Sequence, residues 1–189
     1  MLYYIQTWWR WFRRCGLSRG FGVQSPSAYA FIRYVINEHY PYYAYAELKQ
    51  RLHSLSKLQH KFGRLLLRLS NFWQPEIFYS NIALYDPYIH AGCQKAKSYS
   101  LGQVSETKEK KLIVVDLISY DMKQLNTSIL PLCHENTLLV LLGLNKLKEK
   151  KLWYDLQNSS FTGITYNLYY AGIVFFDHTV YKQHYDVNY

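Results

Sequence analysis

The sequence predicts an α/β domain, a mostly parallel sheet with helices on both faces, preceded by a helical N-terminal segment. Three observations predict it. The chain has 189 residues, 49% of them apolar, which is enough to bury one core. Beyond Pro75, apolar runs of strand length alternate with longer stretches of helical periodicity. The 20 Tyr, 9 Phe and 5 Trp, set against 9 Gly and 5 Pro, exclude a disordered chain.

The elements follow in order. From Leu2 to Arg14, the residues Leu2, Ile5, Trp9 and Phe12 recur at helical spacing, widened by Trp8, with Gln6, Arg10, Arg13 and Arg14 opposite. This helix has three readings: an aromatic face packed on the domain, an interfacial helix on anionic lipid, or a nucleic-acid contact through interleaved Arg10, Arg13, Arg14, Trp8, Trp9 and Trp11. Arg19-Gly-Phe-Gly-Val-Gln-Ser-Pro26 is a loop in which Ser25 suits a helix cap and Pro26 the first helical position. Amphipathic helices are expected over Ser27–Glu38, Glu47–Leu58 and Lys61–Asn71. The last carries Phe62, Leu65, Leu66 and Leu69 inward and Arg64 and Arg68 outward, as solvated cations or, in the alternative, as substrate contacts.

After Pro75, strands are expected near residues 76–80, 97–101, 112–117, 138–142, 163–168 and 172–176. Helices fall between them at Leu84–Ala96, Met122–Leu132 and Lys146–Gln157. The last two strands are close enough to pair antiparallel at one edge. The layout is a Rossmann-like three-layer αβα sheet, mostly parallel, with an antiparallel C-terminal edge hairpin.

Charge divides the same chain. Residues 1–75 carry 11 Lys+Arg against 2 acids, and residues 76–189 carry 11 against 11. A basic aromatic helical segment, 1–75, thus joins a balanced sheet domain, 76–189, within one compact unit. The asymmetry bears on partners. No uncharged apolar run reaches the ~18 residues of a membrane span, and the N-terminus lacks the pattern of a secretory signal. Three cysteines without C-x-x-C spacing fit neither a disulfide framework nor a zinc site. The expectation is a cytoplasmic protein, peripheral to a membrane if the N-terminal helix lies on one. His178 and His184 stand six apart with no third ligand in view, so no metal is expected.

Arg19–Pro26, Pro41-Tyr-Tyr-Ala-Tyr45, Arg64-Leu-Leu-Leu-Arg68, Gly172-Ile-Val-Phe-Phe-Asp177 and Lys182-Gln-His-Tyr185 together resemble a Bacteroides-type family of class I S-adenosylmethionine-dependent methyltransferases. The resemblance covers both ends of the chain and little of its centre. It implies a cofactor pocket at the ends of the first two strands, placed here at Ser80, Asn81 and Gly102. It also implies an acid beside the substrate, at Asp116 or Asp121, though each of these also suits a turn or helix cap.

The departures weigh against catalysis. The family's first strand leads into a glycine-rich turn, because backbone must approach the cofactor closely. This chain runs Ile77-Phe-Tyr-Ser-Asn-Ile-Ala-Leu-Tyr-Asp86 with no glycine. Where the second strand should end in a ribose-binding acid stands Gly102. Where a helix, a third strand and another helix should follow stands only Val104–Lys111. The expectation is a shortened, non-catalytic relative, a pseudoenzyme without cofactor, acting as an interaction or scaffold module toward a protein, an anionic membrane surface or nucleic acid. An active methyltransferase with an atypical cofactor site is the alternative.

Overall fold

The computed structural model describes residues 23–144 and 147–189. The expected helix Leu2–Arg14 and most of the Arg19–Pro26 loop lie outside the described residues.

The first described helix, α1 (Pro26–Phe31), starts as its sequence requires. Ser25 is extended, its hydroxyl accepts from the Ala28 N–H at 3.3 Å, and Pro26 takes the first turn. The helix continues as a π turn, Ile32–Ile36. Helix α2 (Ala44–Arg51) starts and ends earlier than expected. Helix α3 (Lys57–Trp73) begins four residues before the expected start. The reason is a capping box: Gln59 N–H donates to Ser56 Oγ at 3.3 Å, and Ser56 N–H donates to Gln59 Oε1 at 2.8 Å. It ends at Gln74, in the left-handed region at φ 49°, just before Pro75.

Strand β1 (Ile77–Ser80) is followed by a short 3₁₀ turn and helix α4 (Asp86–Gly92), then β2 (Lys97–Ser100) and β3 (Lys111–Asp116). The expected helix Met122–Leu132 is one α turn, α5 (Met122–Gln124), a π turn (Leu125–Ile129) and a 3₁₀ turn (Leu130–Leu132), with Pro131 in its last part. Then come β4 (Thr137–Leu142), α6 (Leu147–Asn158), β5 (Ile164–Asn167), β6 (Ala171–Phe175) and β7 (Gln183–Asp186).

The seven strands lie in the order β2-β1-β3-β4-β6-β5-β7. β2, β1, β3 and β4 run parallel, with Ser80 opposite both Ser100 and Val114. β6 is antiparallel to both β4 and β5. The expected antiparallel pairing of the last two predicted strands is present, but not at an edge. β7, absent from the sequence expectation, joins β5 in parallel and forms the rim. Its residues, Gln183-His-Tyr-Asp186, are polar and half-exposed, as an edge strand requires, so no apolar run announced it.

Alternation along the strands sorts two cores. Phe78, Leu112, Val114, Leu138, Val140 and Ile173 face α1, α3 and α4. Ile77, Tyr79, Ile113, Val115, Leu139 and Val174 face α5, its continuing turns and α6. The architecture is therefore three-layered. Helices α3 and α4 meet closely where Gly92 lies under α3, and a Cβ there would come within 2.2 Å of the Leu67 carbonyl. Among the described residues, no helix is long and apolar enough to cross a membrane.

One expectation for α3 is overturned. Arg68 is not a solvated surface cation; it is 5% exposed. Its Nε donates to the Val35 carbonyl at 2.6 Å, and Nη2 to the Ile36 carbonyl at 2.9 Å. Nη1 reaches the Tyr45 hydroxyl at 3.0 Å, and Nη2 also the Tyr189 hydroxyl at 3.3 Å. Position 68 follows Leu65 by one helical turn, so it lies on the buried arc. Two carbonyls at the end of the π turn would otherwise lack partners, and the guanidinium supplies them. Arg64 stays half-buried at the rim, its guanidinium carbon 5.1 Å from the centre of the Tyr45 ring.

Candidate functional site

In an open parallel sheet, the chain leaves a crevice where successive connections depart in opposite directions, beyond the carboxyl ends of the strands. Here β1 is flanked by β2 on one side and β3 on the other, so that point lies between Ser80 and Asp116. Three of the five expected site residues meet there.

Asn81, just past β1, bridges the crevice. Its Nδ2 donates to the Asp116 carbonyl at 3.1 Å, and its Oδ1 accepts from the Asp116 N–H at 2.8 Å. One side-chain amide thus pairs with both backbone polar groups of one residue on the adjacent strand. Nδ2 also donates to Ser119 Oγ at 3.1 Å.

The carboxylate of Asp116 is turned to its own loop. Oδ1 accepts from the Ile118 N–H at 3.1 Å, and Oδ2 accepts from the Ser119 hydroxyl at 3.2 Å. These are the bonds of an aspartate capping a turn. Ser80 is likewise local: its hydroxyl accepts from the Ile82 N–H at 3.0 Å and donates to the Ile82 carbonyl at 3.1 Å. The polar groups at this crevice hold each other in place.

Gly102 and Asp121 lie apart from this cluster. Gly102 sits in the 3₁₀ turn Leu101–Gln103 after β2, and a Cβ there would meet nothing within 4 Å. No close approach accounts for a glycine at that position. Asp121 caps α5, its carboxylate accepting from the Lys123 N–H at 3.3 Å. Sequence reading missed Tyr85. Its buried phenol is pushed up to about 12, first by burial and then by the Asp116 and Tyr88 groups nearby, so it is a neutral hydroxyl at physiological pH. Only its helical spacing from Tyr88 and Ile89 marked it in the sequence, and that signal reads as core.

The arrangement can bind the chain to itself and orient a turn. Each Asp116 oxygen accepts one protein hydrogen bond, which fixes the carboxylate toward its own turn and leaves one lone pair on each oxygen. His178 and His184 do not stand out as ligands: His184 Nδ1 pairs with Thr165 Oγ1 at 2.8 Å across β5 and β7. Among the described residues, no group of three His, Cys, Asp or Glu side chains is placed to hold a metal ion.

Compared with known proteins, the chain matches no family model and no curated protein.

Proposed function

We propose that the chain is a degenerate relative of the class I S-adenosylmethionine-dependent methyltransferases that transfers no methyl group and serves as an interaction module. The observation that carries this reading is the Asn81–Asp116 clamp. In a working pocket of this type, glycine backbone meets the cofactor at the end of the first strand. Here an asparagine side chain occupies that place and spends its amide on the neighbouring strand. The residues present do not suit the cofactor. Gly102 brings no carboxylate to the ribose hydroxyls, and the turn and loop from Leu101 to Lys110 carry β2 straight to β3.

Methyl transfer depends on holding donor and acceptor in line, with a base in some cases. Neither requirement is served by side chains committed to their own backbone. The sheet then acts as a scaffold, and the basic aromatic first third, residues 1–75, is the contact surface. Its partner is another protein, an anionic membrane surface or nucleic acid, in the cytoplasm.

Calorimetric titration with S-adenosylmethionine tests the reading. The expected outcome is no saturable binding up to the millimolar range. A micromolar dissociation constant, abolished by N81D, would overturn it. The active-enzyme alternative would then lead, with Asp116 as its foremost acid.

A further inference from the structure

Away from the strand ends, the π turn after α1, the loop that follows it, α2, α3 and the segment after β7 line a basin of about 1010 Å³. One wall is a face of α3, where Lys61, Arg64 and Arg68 recur at successive turns. Lys49 of α2 and Arg33 of the π turn also line it.

Aromatic rings, rather than acids, hold the three α3 cations. Lys61 Nζ lies 4.4 Å from the centre of the Tyr189 ring, and Arg64 stands over Tyr45. Arg68 donates to the hydroxyls of both tyrosines. The Tyr189 hydroxyl in turn donates to the Lys61 carbonyl at 2.7 Å, which fixes its ring under the ammonium. A ring face directs a cation but leaves its net charge uncancelled.

The acidic side chain on the lining, Glu38, is turned to its own backbone. Its Oε1 accepts from the N–H groups of His39 and Tyr40 at 2.7 and 2.8 Å. The crowding has an energetic sign: the protein packed around its stem, and then the Arg68 charge, hold the Lys61 ammonium below its ordinary range although its tip reaches solvent. An anion entering the basin relieves that repulsion.

We propose that this basin is a binding site for a phosphate ester carrying at least two negative charges. The guanidinium fork of Arg64 and the ammonium groups of Lys61 and Lys49 around one volume match the several acceptor oxygens of a phosphate. A single carboxylate would leave most of the positive charge unanswered. The volume is that of a small-ligand site. Arg68 stays bound to the helix end and adds its field, while Lys61, Arg64 and Lys49 are free to move onto the ligand. The proposal goes beyond the reading of the strand ends and does not depend on it.

Pyrophosphate is the probe. Titrated calorimetrically into the full chain at low salt, it is expected to bind saturably at one site. The double substitution K61Q/R64Q should weaken binding ~10-fold or more, and K49Q alone by ~3-fold. K123Q, on α5 and away from the basin lining, should leave it within ~2-fold, with unfolding midpoints confirming that each variant folds. Two sources share this chemistry. Vesicles of phosphatidylcholine with a phosphatidylinositol phosphate that displace pyrophosphate identify a lipid headgroup; vesicles that leave it bound identify a soluble phosphate ester. No saturable binding by the unaltered chain would overturn the proposal, as would binding undiminished in both K61Q/R64Q and K49Q.

Discussion

Replacing Arg68 with methionine keeps the length and apolar stem of the side chain and removes only its guanidinium. The Val35 and Ile36 carbonyls then lose donors at 2.6 and 2.9 Å at the end of the π turn. An orphaned buried acceptor costs ~1–3 kcal/mol, so the two together cost ~4 kcal/mol at the middle of that range. Losing a cation at a helix C-terminus adds ~0.5–1 kcal/mol. Against this, methionine spares the desolvation of a buried charge, which returns ~1 kcal/mol. The net expectation is a loss of ~4 kcal/mol, or roughly 8–16 °C in melting temperature for a chain of this size. Urea unfolding followed by far-ultraviolet circular dichroism measures it, with an unchanged slope showing that R68M acts on stability alone. R64Q, at the rim, should stay within ~0.5 kcal/mol. A loss under ~1 kcal/mol for R68M would refute the idea that this guanidinium holds the helix end.

Two glycines should respond oppositely to alanine. G92A places a Cβ within 2.2 Å of the Leu67 carbonyl and should cost ~1–3 kcal/mol in urea unfolding, whereas G102A meets nothing and should be neutral or slightly stabilising. His60 pairs through Nδ1 with the Tyr88 hydroxyl at 2.6 Å, and burial, then Arg64 and Lys49, lower its proton affinity. A histidine held below its unfolded value of 6.5 binds fewer protons folded than unfolded, so its contribution is full above pH 6.5 and falls away as pH drops below it. His184 shifts the same way, so H60N should flatten part, not all, of the acid decline in the urea midpoint.

Whatever depended on local pattern was legible in the sequence. The runs Leu112-Ile-Val-Val and Leu138-Leu-Val-Leu-Leu became β3 and β4, and Ser25-Pro26 became a helix start. Ser56-Lys-Leu-Gln59 carried an equally local signal that was overlooked, and α3 begins there. β7 is polar because it is an edge, so hydrophobic pattern could not reveal it. Asp116 and Asp121 both cap turns, one of the two roles their positions allowed. The burial of Arg68 and the clamp of Asn81 depend on partners 33 and 35 residues away, which only the assembled fold brings near. The same holds for the basin: Arg64 and Arg68 read as solvated cations, and only the fold brings Tyr45 and Tyr189 against them.

The placing of β6 between β4 and β5 also governs the order in which the chain can assemble. β1 to β4 are mutual neighbours, and their pairing is complete once residue 142 has been made. β5 comes next in the chain but touches only β6 and β7, so it has no place in the sheet until Phe175 is available. A nascent chain halted before Ala171 would carry a four-stranded parallel half-sheet with the outer flank of β4 bare. β6 is therefore the strand that joins β5 to the half-sheet, pairing with β4 on one side and β5 on the other. β7 and Tyr189 follow it, and only then does the hydroxyl of Tyr189 reach Arg68, 121 residues earlier in the chain.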